Sequence, residues 1–162
     1  MIVVADTGPL RYLILIEYVH VLPSLYGRAL VPPAVVAELD REQTPELVRR
    51  WMSDRPEWLD VVTPRQVPSS LHEVLGPGER EAISLAQELT VDALLIDDRD
   101  GRREAQKKKI AVLGTLRVLA DAAEHTSIDL HAAFARLRLT NFRADEPLLQ
   151  RLLALDDERR RR

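Results

Sequence analysis

The strongest constraint on the fold is a repeated alternation: short apolar runs, several rich in β-branched residues, each followed by a segment with apolar residues at helical spacing. The first run, IVVA at 2–5, is closed by Asp6, Gly8 and Pro9, the pattern of a strand buried on both faces of a parallel sheet. Apolar residues at 10, 13, 14 and 16 then resume at helical spacing, so strand runs into helix. A helical pattern over 18–26 leads to ALV at 29–31, after which Pro32 and Pro33 fit only a strand end and a helix start. That helix carries Val35, Val36, Glu38 and Leu39. TPELVRRWMSD at 44–54 predicts a short amphipathic helix with Thr44 as N-cap and Pro45 at its first position, and WLDVV at 58–62 a strand. LGPGEREAISLAQEL predicts a helix over 79–89, ALLI at 93–96 and IAVL at 110–113 two more buried strands, with a charged helix over 99–109 between them. Right-handed crossovers are the economical way to connect such a series. The expected class is therefore α/β, a central parallel sheet with helices on both faces.

Helical patterns over 115–124 and 129–138, then DEPLLQRLLAL with Asp145 as N-cap, follow the last strand. With no long linker and no internal repeat, residues 1–162 read as one domain: a core over 1–125, C-terminal helices over 126–157 and an Arg-rich tail at 158–162. The tail is expected to be a solvated or disordered end. The helix holding Leu148, Leu149, Leu152, Leu153 and Leu155 has more apolar surface than a lone terminal helix should expose, which leaves docking on its own chain and a homodimer interface both open.

The inventory of side chains excludes most chemistries. The chain has no Cys, which removes disulfides, thiolate metal sites and thiol catalysis, so any metal must be held by oxygen or imidazole. The His residues at 20, 72, 125 and 131 lie on separate elements and never at the i, i+4 spacing of a helical zinc site. Gly76 and Gly78 begin like a dinucleotide loop, but Glu81 stands at the third glycine's place and the preceding LHEVL reads as helix. Neither a G-x-S-x-G elbow nor a phosphate-binding G-x-x-x-x-G-K-[ST] loop is present. The opening MIVVADTGPL lacks a basic leader, and Arg11, Glu17 and His20 interrupt every apolar run, so a cytoplasmic location without a membrane span is expected.

Acids remain. In an open parallel sheet, ligands bind beyond the carboxyl ends of the strands, where Asp6 follows IVVA and the pair Asp97 and Asp98 follows ALLI. Glu38 lies three residues after Val35, near the apolar face of its helix, and Glu79 has Ala82, Ile83 and Ala86 as its i+3, i+4 and i+7 neighbours. Each has an ordinary alternative: Asp6 as a helix cap, Asp97 and Asp98 as turn residues, Glu79 and Glu81 as first-turn acids favoured by the helix dipole. Gathered together, bare carboxylates about 4 Å apart would repel by roughly 4 kcal/mol per pair at an effective dielectric of about 20. A hard divalent cation, Mg²⁺ or Mn²⁺, is the counter-charge that oxygen-only ligation suits, and phosphodiester hydrolysis is the matching reaction.

ADTGPL at 5–10, VPPAVVAEL ending in Leu39, GEREAISLA at 78–86, LLIDDRDGR at 94–102 and VLGTLRVL at 112–119 together resemble the PIN-domain nucleases, over residues 1–125. The order and spacing of the segments are more specific than any one of them. Within that family the chain is most similar to small prokaryotic PIN-like proteins, many of them toxins of toxin–antitoxin modules. The resemblance implies a three-layer α/β/α fold and a Mg²⁺- or Mn²⁺-dependent ribonuclease. It carries the first-strand acid onto Asp6, the helix acid onto Glu38, the third onto Glu79 with Glu81 as alternative, and the fourth onto Asp98 with Asp97 as alternative. Glu79 stands where many relatives have Asp, and Ile96 where many have Thr. Thr7 and Thr115 have hydroxyls to lend to the site, with N-capping as the favoured role. The implied partners are an RNA substrate and a small DNA-binding antitoxin covering the acid edge.

The net charge of −3 offers nucleic acid no global attraction, so binding must be local. Residues 99–109 carry +4, and Arg99, Arg103 and Lys107 share one helix face, with Arg102 beside them, near the acid pair. Two other functions compete with a nuclease: a catalytically silent PIN-like module that binds RNA or protein, and, more weakly, a receiver- or phosphatase-type protein. The latter wants its acid pair after the first strand, where this chain has a single Asp.

Overall fold

The computed structural model describes all 162 residues, the side chain of His72 excepted; the reading of that His as a non-ligand therefore lies outside the described residues. Elements follow in the order β1 (Ile2–Ala5), α1 (Thr7–Leu15), α2 (Val21–Tyr26), β2 (Arg28–Val31), α3 (Pro33–Leu39), α4 (Glu46–Ser53) and β3 (Leu59–Val61). After a 3-10 turn (Ser69–Glu73) come α5 (Pro77–Leu89), β4 (Ala93–Leu95), α6 (Arg99–Lys107), β5 (Val112–Leu113), α7 (Thr115–His125), α8 (Leu130–Arg138) and α9 (Glu146–Arg161). The five strands form one sheet in the order β3-β2-β1-β4-β5, every pair parallel.

Side chains alternate across a strand, and here the alternation sorts the core into two layers. Val3, Ala5, Ala29, Val31, Ala93 and Leu95 point to the face covered by α1–α4 and α7–α9. Val4, Leu30, Leu94 and Ile96 point to the face covered by α5 and α6. Both faces are dry, which is why these strands read as continuous apolar runs. The fold is the expected α/β/α sandwich with a parallel sheet.

Local differences have local causes. Thr44 does not cap α4, whose N-cap position is Pro45; the Thr44 hydroxyl instead donates to the Glu38 carbonyl at the end of α3, 3.1 Å away. The segment LHEVL begins in the 3-10 turn and leaves it after Glu73, and α5 starts at Pro77, two residues before the expected position. Asp145 does cap α9, accepting from the Leu148 N–H.

The Arg-rich tail is helical and largely solvent-exposed, with Arg159 its one half-buried residue. Helix α9 runs to Arg161, and Arg159 and Arg160 both bond Asp156, whose side chain is only 5% exposed. The same guanidinium groups reach the carbonyls of Ala123 at 2.9 Å, in the last turn of α7, and Ile128 at 3.0 Å, in the loop beyond. They satisfy acceptors that a helix end leaves without partners. Leu149 and Leu152 are buried and Leu148 and Leu153 pack on the same core, so α9 docks on its own chain. Among the described residues no helix is long and apolar enough to cross a membrane.

Candidate active site

Strands β1 and β4 are neighbours, yet the chain leaves them in opposite directions across the sheet, from β1 toward β2 and from β4 toward β5. Such a reversal opens a crevice at the carboxyl edge. Asp6 sits there directly after β1, its N–H bonded to the Leu95 carbonyl of β4 at 2.9 Å, and Asp97 and Asp98 follow one residue beyond the end of β4.

Asp6 is 2% exposed. It occupies the N-cap position of α1, but its side chain makes no cap hydrogen bond and its Oδ1 has no partner. The capping explanation therefore fails, and a buried unpaired carboxylate oxygen is costly unless something else satisfies it. Glu38, in the last turn of α3, accepts from the Thr7 hydroxyl at 2.5 Å on Oε2 and from the Gly78 N–H at 2.9 Å on Oε1. Glu79 lies in the first turn of α5, and Asp98 caps α6 by accepting from the Gly101 N–H at 2.7 Å. A Cβ added to Gly101 would stand 3.3 Å from Asp98 Oδ2 and 3.5 Å from Glu79 Cγ, which places those two side chains side by side.

The electrostatics agree with this convergence. Burial first, then the charges of Glu79, Glu38 and Asp98, push the Asp6 carboxyl well above the usual range, with a Thr7 backbone hydrogen bond opposing. Burial also raises Glu79, helped by Glu38 and Asp98. Among the described residues, no Lys or Arg forms an ion pair with any of these four acids. Repelling carboxylates with an unpartnered buried oxygen suit a hard, oxygen-seeking divalent cation, so the donor set fits Mg²⁺ or Mn²⁺. Also among the described residues, no three His, Asp or Glu side chains are closed to the spacing that would hold a metal ion. Glu38 and Asp98 direct oxygens toward N–H and O–H donors of Thr7, Gly78 and Gly101.

The neighbouring acids have other employment. Asp97 accepts from the Thr115 N–H at 2.8 Å and from its hydroxyl at 2.6 Å, one bond on each oxygen, so it ties the end of β4 to the start of α7. Its carboxyl is raised by burial, against the hydrogen bonds of Thr115 and the charge of Arg102. Asp97 is thus an anchor between β4 and α7, the supporting role open to it beside the favoured Asp98. Glu81 is likewise turned away, accepting from the Ala34 N–H at 2.9 Å. Helices α3 and α5 thus cap each other: both begin with Pro at the first position, and the second residue of each donates its N–H to a glutamate of the other. Thr7 and Thr115 are not caps; each gives its hydroxyl to an acid, Glu38 and Asp97 respectively. Of the basic residues, Arg99 and Arg103 are exposed, Lys107 pairs with Glu104 at 3.0 Å, and Arg102 turns toward Asp97 and Gly114.

Gly78 and Gly101 carry more of the site than their sequence reading suggests. A Cβ at Gly78 would fall 2.5 Å from Glu38 Oε2, and one at Gly101 2.6 Å from Ile96 Cδ1. The available signal was Gly101 itself: glycine in a helix costs about 1 kcal/mol relative to Ala, so a close approach was the thing to look for.

With this geometry in hand, the comparisons with known proteins are consistent. A family model described as DUF3368, a PIN domain, matches residues 2–158, so the chain belongs to the PIN-domain family. Among curated proteins none matches. Among solved structures, a PilT N-terminus domain protein from the hyperthermophilic archaeon Sulfolobus solfataricus P2 is similar in fold, with a TM-score of 0.53 at 18% identity, over 80% of this chain and 99% of that one.

Proposed function

We propose that this chain is a Mg²⁺- or Mn²⁺-dependent endoribonuclease of the cytoplasm, the toxin of a toxin–antitoxin pair. The observation that carries the reading is Asp6: a buried carboxylate with one unpartnered oxygen, facing three more acids and no basic group. PIN domains are in general nucleases, which supports the reaction class. Asp6, Glu38, Glu79 and Asp98 hold the cation. When bound, the cation lowers the pKa of an attacking water and neutralises charge developing on the phosphodiester. Thr7 orients Glu38 through its hydroxyl, and the mutual capping of α3 and α5 fixes Glu38 against Glu79. Arg99, Arg102, Arg103 and Lys107 attract the RNA backbone toward the acid edge. The partners in this reading are RNA, a small DNA-binding antitoxin that places an Arg or Lys among the carboxylates, and a second copy of the chain. Leu139 and Leu155, 88% and 54% exposed, are apolar surface left for such a copy once α9 has docked.

The test is cleavage of single-stranded RNA in Mn²⁺ by the full chain and by Asp6→Asn. Loss of cleavage with an intact fold supports the proposal; equal cleavage by the variant refutes it. RNA retention without turnover, and no Mn²⁺-dependent stabilisation, would instead favour a catalytically silent binding module.

A further inference from the structure

We infer that one unstacked nucleotide of a single-stranded RNA is seated in the groove between α6, the first half of α7 and the 139–145 connection, with its base on Phe142 and its phosphate on Arg143 and Arg102. The inference rests on the nuclease reading only for the direction of the strand. The groove measures about 450 Å³ and shares Asp97 and Arg102 with the acid edge. That volume falls within the roughly 300–1,000 Å³ of small-ligand clefts and admits one base, not a duplex.

Its walls divide by chemistry. Phe142, Leu116 and Leu148 form an apolar side, while Arg102, Arg117 and Arg143 bring positive charge. Three acids line it too, and each is already engaged: Asp97 by Thr115, Asp121 by Arg117 at 3.1 Å, and Asp145 by the Leu148 N–H. Among the described residues, Arg143 forms no ion pair with a carboxylate, so its charge remains for an anion, while Arg102 divides its charge between Asp97 and the groove.

Phe142 is held ready. Its ring meets Tyr12 edge to face at 5.0 Å, the Tyr12 hydroxyl donates to Asn141 Oδ1 at 2.8 Å, and the Phe142 N–H donates to Thr140 Oγ1 at 3.1 Å. A half-buried ring, packed on the core and lining the groove with its remaining surface, loses little freedom when a base stacks on it. The outer face of α6 offers Arg99 and Arg103 without any apolar surface beside them, so it suits long-range attraction and gives a base nothing to stack on. Even in a chain with 4% aromatic residues, one placed ring suffices for one base.

The experiment measures fluorescence anisotropy with full-length Asp6→Asn protein in EDTA, so that binding is read without cleavage, using a labelled single-stranded RNA and an abasic ribose-phosphate strand of equal length. The expected result is a preference of about tenfold for the strand with bases, lost in both Phe142→Ala and Phe142→Leu, the second of which preserves apolar packing against Tyr12. Arg143→Ala should weaken both strands alike and reduce the salt slope by about 0.7. Paired substitution of Arg99 and Arg103 should also weaken both strands and leave the preference unchanged. An equal affinity of the parent protein for both strands, or a preference that survives at Phe142→Leu, overturns the inference. Base preference without any metal-dependent cleavage by the unmutated chain would sink the nuclease reading and leave this one standing.

Discussion

Asp6 and Asp156 are the same residue type at nearly the same burial, 2% and 6% exposed, and they sit in opposite electrostatic settings. Burial alone would raise the Asp156 carboxyl, but hydrogen bonds and charge from Arg160 and Arg159 outweigh it and hold it below the ordinary value of 3.8. Asp6 has burial and three like charges acting in one direction and is held well above it. The paired aspartate holds Arg159 and Arg160, and through Arg159 α9 is joined to the end of α7. The unpaired one has a carboxylate oxygen without a partner, the arrangement on which the proposed cation site rests. Burial of a charge therefore does not by itself distinguish architecture from function; the partner does.

The largest effect separating the two should come from Asp6→Asn, which is expected to lower Mn²⁺-dependent RNA cleavage by about 10³-fold, since metal-assisted charge stabilisation is worth several kcal/mol. Asp156→Ala should leave that cleavage intact per folded molecule and destabilise the chain by about 2 kcal/mol in urea unfolding. The figure is below the roughly 3–5 kcal/mol of a fully buried broken pair because the two Arg side chains are partly in water. Glu81→Ala should weaken Mn²⁺ binding by about tenfold in calorimetry, with Glu81→Gln retaining most of it, because the carboxylate acts by holding α3 and so Glu38. The smallest effect is opposite in sign: in EDTA at neutral pH, Asp6→Asn should raise the melting temperature by about 2–4 °C, the shift given by about 1 kcal/mol in a chain of this size.

The pH dependence sharpens the same contrast. Asp156 has a folded pKa below its unfolded one, so its contribution is complete above about 3.8 and disappears as pH falls through the folded value. Asp6 has a folded pKa above its unfolded one, so in the cation-free protein its contribution is most favourable below about 3.8 and declines as pH rises toward the folded value. Unfolding curves of both variants should approach the parent at the acid end and depart from it in opposite directions as pH rises, Asp156→Ala becoming less stable than the parent and Asp6→Asn, in EDTA, more stable.

Much of the scaffold was legible in the sequence because buried parallel strands and amphipathic helices write different periods. The ends of β1 and β4, and with them Asp6 and Asp98, are marked by the change from apolar run to turn residue. Choosing between adjacent acids was harder. Asp97 and Asp98 differ by one position past a strand end, and what separates them is Thr115, a residue beyond the next helix and strand. Glu79 and Glu81 lie about 200° apart around a helix, so a two-residue error in where α5 starts is enough to exchange them. The solvated tail was legible, but its contacts were not, because composition reports charge and not destination: Arg159 reaches Ala123, 36 residues away. Thr44 was lost from its cap because a tertiary acceptor, the Glu38 carbonyl, competed with the local one.

The central claim is that Asp6, Glu38, Glu79 and Asp98 form one cation site. Thermal unfolding of the full chain with increasing Mn²⁺, run in parallel with Asp6→Asn, tests it most directly, since a ligand of the native state adds about 2.7 kcal/mol at a hundredfold excess over Kd. The account predicts a saturable rise in melting temperature for the unmutated chain and none for the variant. An equal rise in both, or no rise in either, would contradict it.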